Sequence, residues 1–227
     1  MNSFAMNLGA LWTGMPFLIN GLLFSIALTL GAATGGVILG TLIACMRLSG
    51  RRLLVGFAFG YVTLFRCVPL LLVIFWFYFL MPLVMQWLTG ARFPVPIGPV
   101  YSAFITFTIF EAAYYSEIIR AGIQSVARGQ IEAAQALRLS PVDTYRYIIL
   151  PQAIRRMLPV LLTQTIVLFQ DSSLVYVLAL PDFFSVASRL GQLSGETTFF
   201  YLFVALVFFL ICYSLSRAVR RLGRAQP

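Results

Sequence analysis

Long apolar stretches with almost no charge are the feature of this sequence that most restricts its fold. A helix needs about 20 residues to cross the hydrocarbon core of a bilayer, and five stretches reach or approach that length. Backbone groups inside hydrocarbon must find their hydrogen-bond partners within the protein, so such stretches fold as transmembrane helices. We therefore predict an all-α polytopic membrane protein with spans at residues 17–46, 69–88, 100–119, 157–180 and 199–215.

The composition agrees with a membrane protein and argues against other classes. Hydrophobic residues make up 60% of the 227 residues and charged residues only 10%, with a mean hydropathy of +0.92. A soluble domain of this length needs far more charge on its surface. The net charge of +9 comes from arginines that flank the apolar stretches, which is typical of membrane orientation signals. We expect lipid as a partner and no nucleic acid.

The residue types that the chain lacks limit its chemistry. It contains no lysine, so it cannot form a phosphate loop of the GxxxxGK[ST] type, and any ATP hydrolysis must come from another subunit. It has no histidine, and Cys45, Cys67 and Cys212 are far apart, which argues against a metal centre, a haem or a disulfide. We expect no cofactor, no metal and no catalytic residue. An intramembrane enzyme or scaffold is the alternative, and an enzyme would lack a nucleophile beside a base.

One polar segment, residues 120–156, interrupts the apolar sequence between the third and fourth predicted spans. Gly129 is expected to end a helical run, after which residues 130–139 can form a short helix. Ser140 followed by Pro141 is typical of a second helix start, with serine as the N-cap and proline at the first position. The segment predicts a helix-turn-helix elbow exposed on one side of the membrane.

The end of this elbow is predicted from Pro151. Proline disfavours α-helical geometry in the residue before it, so we expect the second helix of the elbow to stop at Leu150. An exposed elbow of two short helices is suited to docking on a soluble partner.

Within the elbow, the residues resemble the EAA signature of permease subunits of ATP-binding-cassette importers. Arg138 stands six residues after the glutamate, where the signature has a glycine. The resemblance implies a type I importer permease (MetI-like) whose elbow, Arg138 included, couples it to an ATPase. The other positions that carry the resemblance are Glu132, Ala133, Ala134, Ile148, Leu150 and Pro151.

Motifs outside the elbow are similar to the polar-amino-acid branch of that family, and within it to permeases for glutamate and aspartate. The resemblance implies that the chain forms the transmembrane path for a polar amino acid, with glutamate or aspartate favoured over glutamine or arginine. It also implies a cytoplasmic ATP-binding subunit dimer, a second permease subunit that is identical or homologous, and an amino-acid-binding protein outside the membrane. The similar motifs are Arg66-x-x-Pro69-Leu70, residues 111–117, Arg120-Ala121-Gly122 and residues 169–174.

Arginine placement predicts the orientation of the chain. Basic residues concentrate in cytoplasmic loops, and an odd number of spans puts the termini on opposite sides. With the elbow inside, fourteen of the sixteen arginines are cytoplasmic and only Arg92 and Arg189 lie outside. The resemblance implies the inner membrane of a bacterium as the location. The arginines predict residues 1–16 outside, one transmembrane domain at 17–216, and the basic tail at 217–227 inside.

Two acidic residues, Glu111 and Asp171, lie deep inside predicted spans. A charge at that depth costs at least ~2.5 kcal/mol and usually marks function. One hypothesis is that both acids line a polar translocation path together with Gln164 and Gln170. Whatever their role, we expect both to face the protein interior, because a short carboxylate cannot reach the headgroups from there.

The other hypothesis makes the same two acids structural. Glu111 would bond to Tyr114 or Tyr115, and Asp171 would bond to the residue on either side of it. The sequence leaves the two hypotheses equally open.

The remaining predictions concern packing and connections. Four glycines in the first span predict close packing against a neighbouring helix, which the sequence does not identify. Residues 53–65 are too short to span and are expected to form a helix near the interface. Residues 89–99 and 181–198 are predicted to be loops. The glycines are Gly31, Gly35, Gly36 and Gly40.

Overall fold

The computed structural model describes the backbone of residues 2–224 and the side chains of residues 9–223. Met1 and residues 225–227, which belong to the predicted outer segment and basic tail, lie outside the described residues. In chain order, the elements are α1 (Asn2–Leu48), α2 (Arg52–Cys67), α3 (Leu70–Thr89), α4 (Pro99–Gln124), α5 (Arg128–Ala136), α6 (Pro141–Asp143), a π-helical segment (Thr144–Ile149), α7 (Leu150–Asp171), a 3-10 segment (Ser172–Leu178), α8 (Phe183–Ser194) and α9 (Thr197–Arg224).

Four helical stretches within residues 2–224 are long and apolar enough to cross a membrane. They are Gly9–Leu48, Leu70–Thr89, Pro141–Leu178 and Thr197–Gly223, and each overlaps one of the five predicted spans. The remaining predicted span, 100–119, lies in α4, a helix of 26 residues that also carries acidic side chains. Because α4 is surrounded by α1, α2, α3 and α7, its polar side chains need not face lipid.

The glycines of α1 pack against α4, which confirms the predicted close packing and identifies the partner. A Cβ atom on Gly35 would lie 2.8 Å from Cγ2 of Thr108, and one on Gly40 would lie 2.9 Å from the backbone oxygen of Ala112. Side chains larger than hydrogen would therefore force these helices apart. The seam between α1 and α4, formed by the four glycines of α1, holds the centre of the molecule together.

The prediction of a loop at 181–198 is wrong, because this segment contains helix α8. Asp182 caps the helix: its carboxylate accepts hydrogen bonds from the backbone N–H groups of Phe184 at 3.0 Å and Ser185 at 3.2 Å. Burial raises the pKa of Asp182 to about 6 even though these bonds oppose the rise. Gly195, at φ +74°, ends the helix in the left-handed conformation. Asp182 is thus a helix start signal and Gly195 a helix stop signal, and the small polar residues between them obscured both signals in the sequence.

Two hydrophobic clusters form most of the core. The larger lies around α4 and includes residues of α1, α3 and the 3-10 segment. The smaller joins α1 to α8 and α9, so that α8 closes one end of the helical bundle. Its buried members are Leu18, Phe183, Ala187, Phe200 and Val204.

Candidate functional site

Glu111, the first of the predicted site residues, lies at the centre of the α4 packing. The Glu111 side chain is completely buried. A Cβ atom added to Gly36 of α1 would lie 3.2 Å from the Cβ of Glu111. The Gln164 amide of α7 donates hydrogen bonds to both carboxylate oxygens, at 3.1 and 3.4 Å. Tyr115, an expected partner, instead bonds to Thr165 at 2.9 Å between the two hydroxyl oxygens. The acid therefore bonds across to another helix rather than along its own.

Asp171 lies on the same face of α7 as Gln164, seven residues or two helical turns further on. It is partly buried. Among the described side chains none donates a hydrogen bond to it, and the Ser172 hydroxyl donates to the Phe169 carbonyl at 2.7 Å instead. Asp171 is thus a partly enclosed acid with free acceptor oxygens.

Gln170, the fourth residue predicted for the path, has different surroundings. Its side chain lies near the thiol of Cys212 on α9. Six residues separate it from Gln164, which puts the two on different faces of α7. The structure therefore joins Glu111 to Gln164, places Asp171 two turns further along the same face of α7, and leaves Gln170 on a different face near α9.

Arg66, at the end of α2, is a cation near this group to which the sequence analysis gave no role. Its guanidinium carbon lies 5.5 Å from the centre of the Tyr114 ring, a cation–π contact. Tyr114 follows Glu111 by three residues on α4. No described carboxylate is within ion-pair distance of Arg66. The sequence signal that could have identified Arg66 is its position just before the second predicted span, away from the other basic turns.

A second charged group lies beside Arg66. Glu117 pairs with Arg120 at 2.7 Å between Oε2 and Nη2, as expected for residues three apart on a helix. It also pairs with Arg47 of α1 at 3.0 Å between Oε1 and Nη1, which no local pattern could indicate. Arg47, Arg66 and Glu117 line one recess of about 340 Å³ between α1, α2 and α4.

The Glu-Ala-Ala motif of the elbow lies on α5. Glu132 and Ala133 are exposed, whereas Ala134 is completely buried against the rest of the elbow. The predicted break at Gly129 is wrong, because this glycine lies in the first turn of α5 and the non-helical residues are 125–127. The motif thus keeps one side attached to the protein and presents its acid to the outside.

Arg138 has the backbone conformation of the glycine that the signature has at this position. Its φ is +55°, in the left-handed region. The N–H of Arg138 donates to the carbonyl of Gln135 at 2.9 Å, and that of Leu139 donates to the carbonyl of Ala134 at 3.0 Å. These bonds close the end of α5 as a glycine C-cap does. The side chain is exposed, so arginine preserves the turn and adds a charge to it.

The second helix of the elbow begins as predicted and ends differently. The N–H of Asp143 donates to the Ser140 hydroxyl at 3.1 Å, which confirms the serine N-cap. The expected stop at Leu150 is wrong: its φ and ψ are −60° and −46°, and its N–H bonds to the carbonyl of Tyr145, five residues back. This wider turn relieves the clash that Pro151 would cause in a regular helix.

As a result, the second helix of the elbow continues into the fourth predicted span, and residues 141–171 form one continuous helical stretch. Ile148 is half-buried in the π-helical segment, and Leu150 and Pro151 are exposed where α7 begins.

Two polar contacts tie α7 to the other arm of the elbow. The Arg156 guanidinium donates to the carbonyl and hydroxyl oxygens of Ser125, at the end of α4. The Gln152 amide donates to Gln130 of α5 at 3.3 Å. Sequence reasoning missed both contacts, because the partners are more than twenty residues apart. The two contacts join α5 and the end of α4 to the helix that carries Gln164.

Over residues 9–223, no three His, Cys, Asp or Glu side chains are grouped so that they could hold a metal ion. The three cysteines are free thiols, with Cys212 buried and the other two exposed. The functional candidates are therefore a buried polar group and an exposed elbow.

Known proteins are similar to this chain over most of its length. The family model described as "binding-protein-dependent transport system inner membrane component" matches residues 36–226. The glutamate/aspartate import permease protein GltK of Escherichia coli O157:H7 is 47% identical over 210 residues, 92% of this chain and 93% of the relative. The probable glutamine ABC transporter permease protein GlnP of Bacillus subtilis (strain 168) is 40% identical over 164 residues, 71% of each chain. The crystal structure of an amino acid ABC transporter with histidines superposes with a TM-score of 0.83 at 30% identity, covering 93% of this chain and 94% of that one.

Proposed function

Because this chain belongs to the family of binding-protein-dependent transport system inner membrane components, we propose that it forms the path by which an ATP-driven importer carries an acidic amino acid. It is the permease subunit of an amino-acid importer, and not the ATPase. The observation that carries the acidic cargo is the 47% identity to the glutamate/aspartate import permease. Glutamine is the second candidate, on the 40% identity to the glutamine permease.

The proposed topology has five spans, with α4 as the one that is not apolar along its whole length. Its 26 residues are long enough to cross a bilayer, and the surrounding helices shield its acids. Arginine placement supports an N-terminus outside and the elbow and C-terminus in the cytoplasm. In this topology Glu111, Gln164 and Asp171 lie within the membrane and Glu132 lies in the cytoplasm.

The proposed ATPase contact is the exposed side of the elbow. Glu132 and Ala133 are exposed on α5, and Arg138 adds a cation at its end. Small residues beside an acid on a short helix suit a groove in a partner protein. The contact of Arg156 on α7 with Ser125 at the end of α4 gives a route for movement from the elbow to the membrane helices.

The proposed path for cargo includes Glu111, Gln164 and Asp171. Two acids alone attract cations, which conflicts with an acidic cargo. Every amino acid also has an ammonium group, however, and this group suits the free oxygens of Asp171. Arg66 supplies a cation without a carboxylate partner for the cargo carboxylates, and the Gln164 amide is a further donor. The combination is complementary to an amino acid rather than to a simple ion.

The proposed assembly follows from the family. A component of a binding-protein-dependent system works with an ATPase and a binding protein. We infer an ATP-binding subunit dimer at the elbows of two permeases, the second being identical or homologous. The amino-acid-binding protein then delivers cargo on the membrane side opposite the elbow.

Uptake by cells that lack other amino-acid carriers tests the cargo. The chain is expressed with its ATPase and binding protein, and radiolabelled glutamate, aspartate, glutamine and arginine are supplied separately. We expect glutamate and aspartate to accumulate and to compete with each other. Preferential uptake of arginine or glutamine would overturn the acidic cargo. In proteoliposomes, transport should require the ATPase and ATP, and ATP-independent uptake by the permease alone would contradict the coupling.

A further inference from the structure

One face of α9 points away from the described part of the chain. The helix packs against α7 and α8 through its other side, where residues such as Val204 and Cys212 are buried. The outward residues recur every three or four positions, as one face of a helix does. They form an apolar stripe of five large side chains, between 46% and 67% exposed: Leu202, Leu206, Phe209, Leu210 and Tyr213.

The stripe runs directly into a group of three arginines on the same face. Arg217 follows Tyr213 by four residues, and Arg220 and Arg221 follow by seven and eight. Together with Tyr213 they enclose a recess of about 250 Å³, and Arg217 donates a hydrogen bond to the Tyr213 hydroxyl at 3.4 Å. No carboxylate in residues 9–223 lies within ion-pair distance of these three guanidinium groups.

Three other arginines near the ends of helices have partners within the protein. Arg47 and Arg120 pair with Glu117, and Arg156 bonds to Ser125. A signal for membrane orientation needs arginines on the correct side only and does not need them to converge on one helix face. Three cations that converge on a recess without an acid can instead bind an anion from outside the chain.

We propose that this face of α9 binds an anionic phospholipid of the bilayer. The phosphate accepts hydrogen bonds from the arginines in the recess, and an acyl chain lies along the apolar stripe. The chain is an inner membrane component, so lipid is present at this face. A second copy of the chain fits the face less well, because docking stripe to stripe would bring two identical arginine groups together.

The test uses the full chain, purified in the complex in which it is expressed, and native mass spectrometry with added dioleoylphosphatidylglycerol. The variant R217Q/R220Q/R221Q should bind this lipid about 100-fold more weakly, because each arginine contributes about fivefold near an anionic headgroup. The matched control R51Q/R52Q/R155Q removes three exposed arginines elsewhere and should change the affinity by less than about threefold. Neutral dioleoylphosphatidylcholine should bind both variants like the wild type.

Three results would overturn the proposal. The first is an equal loss of phosphatidylglycerol binding in both triple variants, which would make the effect one of total charge. The second is complete displacement of the lipid by millimolar inorganic phosphate, which would mean an anion site without a role for the apolar stripe. The third is rapid disulfide formation by Phe209→Cys, in a background without Cys45, Cys67 and Cys212, which would mean that a second copy covers this face.

Discussion

The tripeptide Glu-Ala-Ala occurs twice in this chain, and the two copies have opposite surroundings. In residues 111–113 all three side chains are completely buried, and the glutamate bonds to Gln164. In residues 132–134 the glutamate is exposed and only the last alanine is buried. Both copies are helical, so secondary structure does not distinguish them.

The two copies differ in the structure that packs against them. The glycines of α1 bring its backbone against Glu111 and Ala112 of the buried copy. Helix α5 is nine residues long and is attached to the protein mainly through Ala134, which leaves its acid available to a partner. The same three residues thus serve packing in one place and recognition in the other, because of their neighbours.

The largest effect on stability is expected when a large side chain replaces an alanine of the buried copy. Ala112→Leu adds three carbons where the packed side chains of Ile43, Ala58 and Val62 leave no room, and should lower the free energy of unfolding by about 3 kcal/mol or prevent folding. Ala133→Leu makes the same change on an exposed position and should alter it by less than about 0.5 kcal/mol. Thermal unfolding in detergent and the yield of monodisperse protein measure the difference. Equal stability of the two variants would contradict the close packing.

The second prediction tests the seam from the side of α1. Gly40→Ala puts a Cβ 2.9 Å from the Ala112 backbone oxygen and should destabilise the protein by about 1–3 kcal/mol. Gly60 of α2 has no atom within 4 Å of such a Cβ, so Gly60→Ala should stabilise by about 0.5–1 kcal/mol. Unfolding curves of the two variants should move in opposite directions. Movement in the same direction would contradict the close packing of α1 against α4.

The third prediction concerns the buried acid itself. Glu111→Leu removes the acceptor of the Gln164 amide and should cost about 1–3 kcal/mol, whereas Glu111→Gln keeps a hydrogen bond and should fold normally. If the proposed path is correct, Glu111→Gln combined with Asp171→Asn loses uptake or hydrolyses ATP without transport. Near-normal uptake by this double variant, at normal expression, would leave Glu111 with a packing role only.

Much of the fold could be predicted because hydropathy along the chain determines which segments enter the membrane. Four of the predicted spans coincide with long apolar helices, and the N-cap at Ser140 is where the sequence indicates it. Helix α8 was missed although Asp182 and Gly195 mark its ends, because the polar composition of residues 181–198 favoured the prediction of a loop over these capping signals. The continuous helix through Pro151 was missed because a π-helical turn has no clear sequence signal.

The site could be predicted only as a set of separate residues. Depth in a span identified Glu111 and Asp171, since a buried charge is costly anywhere in the chain. Their partners could not be predicted, because the bond to Gln164 joins residues 53 apart. Arg66 was missed for the same reason: its role depends on Tyr114, which only the fold brings beside it.

The fourth prediction sharpens the description of the exposed copy. Arg138 holds a left-handed conformation that costs a non-glycine residue about 1 kcal/mol, so Arg138→Gly should stabilise the protein by about 0.5 kcal/mol after the added flexibility of glycine is included. Gln135→Gly, three residues earlier in the regular part of α5, should instead cost about 1 kcal/mol. Opposite shifts of the melting temperature are expected. A loss of stability in both variants would mean that the turn does not require this conformation.

The smallest effect on stability, and the clearest effect on function, is expected for Glu132→Arg. The side chain is exposed, and the change adds only a repulsion with Arg128 one turn earlier, about 0.2–0.5 kcal/mol. Folding should therefore be almost unaffected. If this acid positions the elbow in the ATPase, its reversal should abolish uptake and stop the ATPase from copurifying with the permease, while Glu132→Gln should weaken both less. Normal uptake and unchanged copurification of Glu132→Arg would mean that the exposed Glu-Ala-Ala is only a solvated surface, and that its difference from the buried copy has no functional consequence.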